Sequence, residues 1–198
     1  GTLRQTKSGK TFINEPADQE PIPGTQKALA YYQNKGFILI GITNQGGVAE
    51  GHKSLQNAIE EQRITLQLFP QLSEIYFCPN YDGESCYQLL QNGRIREFKS
   101  PDISCRKPSH GMISVATSPW AMAKSPDFNN SWMIGDRPED RKCAAAAGIK
   151  FVWASLIHTM FQPEIKKIPC THTRFQPEIK KIPYTRIDLN ILIKFLSI

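Results

Sequence analysis

The run Phe37–Thr43, FILIGIT, follows a helical pattern without a break and leads straight into a glycine-rich loop. It is apolar throughout, partly β-branched and too short for a helix, which is how a strand covered on both faces reads. Before it, Pro23–Gly36 (PGTQKALAYYQNKG) has helical spacing. Ala28, Leu29 and Tyr32 form its buried face, with Tyr31 beside them and Gly36 as C-cap. After it, the loop Asn44–Gly51 (NQGGVAEG) precedes a second helix from Lys53 to about Phe69, with Leu55, Ile59, Ile64 and Leu66 at mainly helical spacing. The pattern then recurs: Ser73–Cys78 reads as a strand, His110–Thr117 starts a helix, and Ser131–Asp136 is a strand with an acidic end. Pro138–Gly148 is a helix with proline at its first position and glycine beyond its end, and Ile149–Ala154 is a fourth strand. Such alternation predicts an α/β fold, a parallel sheet with helices on both faces. Ligands bind such sheets at the carboxyl ends of the strands. The polar residues expected there are Thr43, Asn44, Gln45 and Asp136.

The chain has 198 residues, enough for one domain with a real core. Its net charge of +6 is unevenly spread. Residues 159–198 hold 7 Lys and Arg against 3 Asp and Glu, whereas residues 1–158 hold 17 against 15. The body is therefore nearly neutral, and composition gives no support for a nucleic-acid groove there. The five cysteines, Cys78, Cys86, Cys105, Cys143 and Cys170, fit a reducing compartment better than a disulfide framework. No run approaches the ~18 apolar residues of a membrane span, and the first residues are polar, so a cytoplasmic location is expected.

Two stretches depart from the alternation. About 25 residues after Cys78, rich in Asn, Asp, Gly, Ser and Pro, read as an irregular insertion over about 79–106, a length usually tied to function. Beyond residue 158, FQPEIKKIP occurs at Phe161 and again at Phe175, a period of 14. Two copies of so short a unit do not make a solenoid. The expected division is thus a domain over 1–158 and a duplicated tail over 159–198, whose last residues Leu189–Ile198 could pack as a short strand or helix.

The opening GTLRQTKSGKTF (Gly1–Phe12) contains SGKT, the end of a Walker loop. That loop needs a further glycine where Arg4 stands and a helix afterwards. Phe12–Gly24 has three prolines and no helical period, so the phosphate-loop reading fails. Other residues offer more. Thr43 ends an apolar strand in a glycine-rich turn, which is either a plain polar loop or an anion nest. Lys107, beside Arg106 and before Pro108, is either a solvated charge or a phosphate contact. Asp136 and Asp140 share a face at a helix start. They suit Mg²⁺, which prefers oxygen ligands, or equally an N-terminal cap plus an exposed acid.

Taken in order, GTL (Gly1–Leu3), GITNQGGVAEG (Gly41–Gly51), CRKPSHGMI (Cys105–Ile113) and MIGDRPED (Met133–Asp140) resemble the haloacid dehalogenase superfamily of phosphohydrolases. The last three look like the branch containing histidinol-phosphate and heptose-bisphosphate phosphatases, and the resemblance covers roughly residues 1–155. It implies a Rossmann-like three-layer sandwich around a central parallel sheet. It implies an Mg²⁺-dependent phosphomonoesterase acting through an aspartyl-phosphate on a sugar phosphate, a sugar bisphosphate or histidinol phosphate. Thr43 would hydrogen-bond the transferring phosphoryl group, with Asn44 and Gln45 shaping that site. Lys107 would neutralise phosphate charge and hold the nucleophile in place. Arg106 would contact substrate phosphate, where its fork suits bidentate binding. Asp136 would bind Mg²⁺, and Asp140 would support the ion or orient Lys107. Phosphate-monoester hydrolysis is so slow uncatalysed that enhancements reach ~10²¹, so clustered cations and metal are physically required.

The sequence departs from that family in two places. The family's box is Asp-x-Asp-Gly-Thr, whose first aspartate attacks phosphorus and whose second acts as general acid and base. The chain starts at the glycine of this box, so a polypeptide of these residues is expected to lack the nucleophile and the central strand carrying it, and to show no turnover. Relatives of the heptose-bisphosphatase type also bind structural zinc through Cys-x-His and Cys-x-Cys in the insertion. Cys78 and Cys105 match two of these positions, whereas Asn80 and Ile103 stand at the others, and Cys86 is the one substitute ligand. Three sulfurs leave the tetrahedron incomplete, so free thiols compete with zinc here. The expected partner is a small phosphorylated metabolite bound by a monomer. Two alternatives remain: a polynucleotide 3′-phosphatase, which SGKTF after GTL resembles, and a non-catalytic remnant that binds phosphate ligands.

Overall fold

The computed structural model describes residues 1–99, 102–119 and 126–162, together with the backbone of 192–197. A two-residue strand pair, β1 (Arg4–Gln5) and β2 (Glu20–Pro21), precedes helix α1 (Thr25–Asn34). Strand β3 (Phe37–Asn44), helix α2 (Leu55–Leu68) and strand β4 (Leu72–Cys78) follow as the sequence pattern predicts. Strands β5 (Ser85–Leu90) and β6 (Ile95–Lys99) come next, then helix α3 (Gly111–Ala116), strand β7 (Trp132–Gly135), helix α4 (Pro138–Ala146), strand β8 (Lys150–Trp153) and helix α5 (Ala154–Phe161). Strand β9 (Leu192–Ser197) completes the main sheet.

Among the described residues, seven strands form that sheet, in the order β6-β5-β4-β3-β9-β7-β8. Its centre is parallel: β3 pairs with β4 and β9, and β7 pairs with β9 and β8. Successive side chains of β3 alternate between faces. Ile40 and Ile42 join a core with Tyr76, Met112, Ile113, Met133 and Ala144, under α3 and α4. Leu39 joins the opposite core with Leu29, Leu66, Phe69, Ile75, Ile134 and Ile157, under α1, α2 and α5. Both cores are apolar, which is why β3 reads as an unbroken apolar run and not as an alternating one. The result is a three-layer α/β sandwich.

Three features differ from the sequence reading. The insertion expected to be irregular is mostly an antiparallel hairpin, β5 on β4 and β6 on β5, which extends the sheet at one edge. Its turn contains Asn92-Gly93, with Gly93 at φ +80°, a conformation that glycine adopts without strain. Polar Ser85, Gln88, Arg96 and Glu97 mask the alternation that marks these strands. The buried face of α2 is Ala58, Glu61, Gln62, Thr65 and Leu66 in place of the expected apolar row, and Ile59 and Ile64 are half-buried. The third difference concerns the slot between β3 and β7. The resemblance implies that the strand belonging there is missing, yet β9 occupies it, parallel to both neighbours. Helix α5 runs across the boundary expected at residue 158. Apart from Phe161 and Gln162, the tandem copies over residues 161–188 lie outside the described residues, as does Trp120.

Candidate functional site

The carboxyl ends of β3 and β7 carry the polar residues singled out from the sequence. Thr43 is buried near the end of β3, and the amide of Gln45, two residues on, donates to the Cys78 carbonyl of β4 at 2.7 Å. This pins the start of the Asn44–Gly51 loop to the sheet. The Asn44 carboxamide bonds the main chain of Lys107 twice: Nδ2 donates to the Lys107 carbonyl at 3.0 Å, and Oδ1 accepts from the Lys107 amide at 3.0 Å. The loop bearing Lys107 is thereby docked on the tip of β3, although 63 residues separate the two positions.

Lys107 is buried. Its ammonium lies 2.8 Å from Asp140 Oδ1 and 3.4 Å from the carbonyl of Ile42, the residue before Thr43. The other oxygen of Asp140 accepts the backbone amides of Asp136, at 3.1 Å, and Arg137, at 3.0 Å. These amides open α4, where backbone donors have no intrahelical partner. One carboxylate thus caps the helix and faces the lysine.

Asp136 is differently placed. Its side chain is 31 % exposed. Oδ1 accepts the Thr2 hydroxyl at 2.8 Å, and Oδ2 lies 3.2 Å from the Gly1 amino nitrogen. Burial pushes its pKa upward, but the Thr2 hydrogen bond, the amino group and Arg137 outweigh that, and the net shift is downward. A carboxylate that stays ionised and partly exposed fits a magnesium ion, which often binds through one or two carboxylates and keeps its waters. Cys143 is a buried neighbour of the Lys107–Asp140 pair. Burial raises its thiol to about 12 despite Lys107, so it is not a nucleophile at neutral pH.

Arg106 lines the rim. Its guanidinium lies over the Tyr81 ring, 4.3 Å from the centroid, and donates to the Asn80 carbonyl at 3.4 Å. It sits so close to Gly46 that a Cβ there would come within 3.2 Å of it. Beneath this loop Cys78, Cys86 and Cys105 are buried. Cys78 turns its thiol to the backbone and side-chain oxygens of Asn80, both at 3.3 Å, and burial raises its pKa to about 11. Among the described residues, no three His, Cys, Asp or Glu gather in a metal-binding arrangement. Asn80 and Ile103 supply neither imidazole nor thiolate beside Cys78, Cys86 and Cys105, so a zinc tetrahedron lacks a fourth protein ligand of that kind here.

Several site neighbours escape the sequence reading. Arg4, Lys53 and Glu61 form a buried ion cluster behind the Thr43–Gln45 turn. The signal for it is the run of polar residues at helical spacing on α2, which an apolar-only template passes over. Thr2, the second residue of the opening motif, is tied on both sides: its hydroxyl meets Asp136, and its carbonyl lies 2.7 Å from His158 Nε2.

Comparison with known proteins bears on the family. The HAD-hydrolase-like family model matches residues 104–155, the span holding Lys107, Asp136 and Asp140. The D-glycero-beta-D-manno-heptose-1,7-bisphosphate 7-phosphatase of Haemophilus ducreyi is 32% identical over 148 residues, 70% of this chain and 71% of that protein. The enzyme of the same name from Vibrio cholerae is 31% identical, over 70% of this chain and 69% of its own length. Among solved structures, a D,D-heptose 1,7-bisphosphate phosphatase from B. bronchiseptica, complexed with magnesium and phosphate, shares the fold. Its TM-score is 0.52 and its identity 20%, covering 76% of this chain and 73% of that one. A candidate HAD-like phosphatase from Mesorhizobium loti superposes with a TM-score of 0.57 at 18% identity, covering 83% of this chain and 85% of its own. The chain belongs to the haloacid dehalogenase-like phosphatases, in the branch of the heptose-bisphosphate phosphatases.

Proposed function

We propose that the Thr43–Lys107–Asp136 end of the sheet binds the phosphoryl group of a sugar bisphosphate, within the phosphatase chemistry of the family. The observation carrying this reading is the buried Lys107–Asp140 pair, clamped to the tip of β3 by Asn44. A fixed ammonium beside strand-end amides and a hydroxyl supplies what phosphoryl transfer needs, preorganised positive charge where negative charge accumulates. Thr43 donates its hydroxyl to a phosphoryl oxygen. Lys107 balances its charge. Arg106, held flat on Tyr81, takes a phosphate of the same substrate through its fork. Asp140 orients Lys107, since one of its oxygens faces the ammonium and the other caps α4. Asp136 would hold Mg²⁺, which would supply further positive charge to the phosphoryl oxygens.

No Asp-x-Asp occurs anywhere in the 198 residues. The reading therefore separates binding from turnover: a polypeptide of these residues binds phosphate but releases none from an ester. Isothermal titration with inorganic phosphate in Mg²⁺ tests the first half, and Lys107→Met is expected to abolish the heat. Phosphate release from heptose bisphosphate above a no-enzyme blank would overturn the second half. A wild-type chain blind to phosphate would overturn the first.

A further inference from the structure

The ammonium of Lys53 is almost enclosed, its side chain 7 % exposed, and each of its three donors has an acceptor. One reaches the Ile13 carbonyl at 2.5 Å, one the Gln45 Oε1 at 2.9 Å, and one the Glu61 Oε2. Glu61, itself 2 % exposed, also takes Arg4 at 2.6 Å on its other oxygen. That same oxygen accepts Gln45 Nε2 at 3.0 Å. The Gln45 amide is thus held between a cation and an anion. An ammonium only donates and a carboxylate only accepts, so the amide has one allowed orientation, oxygen toward Lys53 and nitrogen toward Glu61.

That orientation reaches the site. Gln45 Nε2 is also 3.5 Å from Thr43 Oγ1, so it is the donor end of the amide that faces the threonine. A hydroxyl that faces a donor presents a lone pair to it and turns its proton elsewhere. Among the described residues, the acceptor for that proton is the Asn44 carbonyl, which at 3.5 Å is as distant as the Gln45 nitrogen and weak. A phosphoryl oxygen is the stronger acceptor. With the amide reversed, Gln45 would offer an oxygen, and the Thr43 proton would be drawn toward it and away from phosphate.

We propose that Lys53 is a positioning residue for phosphate binding: by fixing the orientation of the Gln45 amide, with Glu61, it directs the Thr43 hydroxyl proton toward the phosphoryl group. The inference rests on the reading of Thr43 and Lys107 as a phosphate site. Lys53 touches neither the phosphate nor the reacting atoms in this scheme. Its contact with Ile13 also ties the segment between β1 and β2 to the same turn, so one side chain sets both.

The test is a titration of the ¹⁵N-labelled chain of residues 1–198 with inorganic phosphate in Mg²⁺, reading the dissociation constant and the Gln45 side-chain amide resonance. Lys53→Met is expected to weaken phosphate binding about tenfold, roughly the loss of one charge-assisted hydrogen bond, and to shift the Gln45 amide signal. Lys53→Arg, which restores a donor cation, is expected to recover both. Lys107→Met serves as the separate check on the site. If wild type binds no phosphate, or Lys107→Met binds as well as wild type, the phosphate reading itself fails. If Lys107→Met is impaired while Lys53→Met stays within about threefold of wild type, the site stands and the positioning role is overturned. The role is equally overturned if Lys53→Arg recovers neither readout. Lys53→Met leaves Glu61 paired with Arg4, but should it not fold, Gln45→Met keeps the ion cluster and carries the same expectation. Phosphate binding by Gln45→Met within about threefold of wild type overturns the proposal.

Discussion

Lys107 Nζ and Asp140 Oδ1 lie 2.8 Å apart with both side chains buried. Breaking such a pair by neutralising one partner leaves an uncompensated charge and costs about 3–5 kcal/mol. Asp140→Asn does this and adds a second conflict. An asparagine has one oxygen, which can accept the α4 amides or the Lys107 ammonium but not both. We expect urea unfolding to show a loss of about 3 kcal/mol and phosphate affinity to fall with it. A loss below about 1 kcal/mol, the range of an exposed pair, would show that Lys107 is solvated.

Asn44 presents both halves of its carboxamide to the Lys107 backbone. Asn44→Asp keeps the acceptor for the Lys107 amide but turns the other contact, onto the Lys107 carbonyl, into oxygen against oxygen. The expected cost is about 1–3 kcal/mol for a buried acceptor left without a donor, seen as a lower unfolding midpoint. Phosphate binding should weaken in the same variant, because the loop carrying Arg106 and Lys107 loses its attachment to β3. Unchanged binding in a destabilised protein would assign Asn44 a purely structural part.

Gly135 ends β7 directly under Asp140. A Cβ on residue 135 would overlap the Asp140 side chain, with Cγ at only 2.7 Å. The backbone there is not left-handed, so the demand for glycine is one of space. Gly135→Ala should push the carboxylate away from Lys107 and from the α4 amides at once. Thermal melting is expected to register about 1–3 kcal/mol of overpacking, with phosphate affinity reduced. A variant that melts and binds like wild type would mean that Asp140 has room to move without consequence.

Glu74, on β4, is buried and accepts Gln88 Nε2 at 2.6 Å and the Tyr76 hydroxyl at 3.3 Å. Burial raises its pKa, and those hydrogen bonds offset only part of the rise. The folded state therefore holds this proton more tightly than the unfolded state. Its favourable contribution is complete below the ordinary glutamate range and is lost as pH rises through the elevated folded value. Glu74→Gln has no such loss and can also donate toward Gln88 Oε1, a buried oxygen without a partner among the described residues. Melting temperatures measured against pH should show the variant above wild type at neutral pH, the gap closing as the buffer is acidified. A gap that widened in acid would reverse the sign assigned to Glu74.

The parts of this fold that show in the sequence are those where one physical demand dominates. Phe37–Thr43 must be apolar on both faces, and Pro138 with Asp140 marks the start of α4, so both elements can be placed from residue types alone. Thr43, Lys107 and Asp136 are visible because strand-end polarity and motif order coincide. The hairpin β5–β6 is hidden because an edge strand needs only partial burial, and Arg96 and Glu97 are exposed at positions that a buried strand would fill with apolar side chains. The Arg4–Glu61–Lys53 cluster is hidden for the opposite reason. Charge on a buried helix face is tolerated only when it is paired, and one partner of Glu61, Arg4, lies 57 residues away, which no local pattern reports.

The slot between β3 and β7 makes the most consequential demand on the sheet. Strand β9 fills it, with Leu192 opposite Phe37 and Ser197 opposite Ile42 on one side, and Lys194 opposite Trp132 on the other. Every ladder amide of a strand flanked on both sides is directed at a neighbour, and unpaired amides in a sheet interior are costly. Loss of β9 would strip β3 and β7 of pairing at once and loosen the strand tips that carry Thr43 and Asp136. Hydrogen exchange under native conditions should therefore find the amides of residues 192–197 as slow as those of β3, opening only with global unfolding. Leu196→Pro, which deletes a ladder donor from a central strand, should lower the melting temperature and weaken phosphate binding together. Rapid exchange over 192–197 beside a protected β3 would show that another segment holds the centre of the sheet.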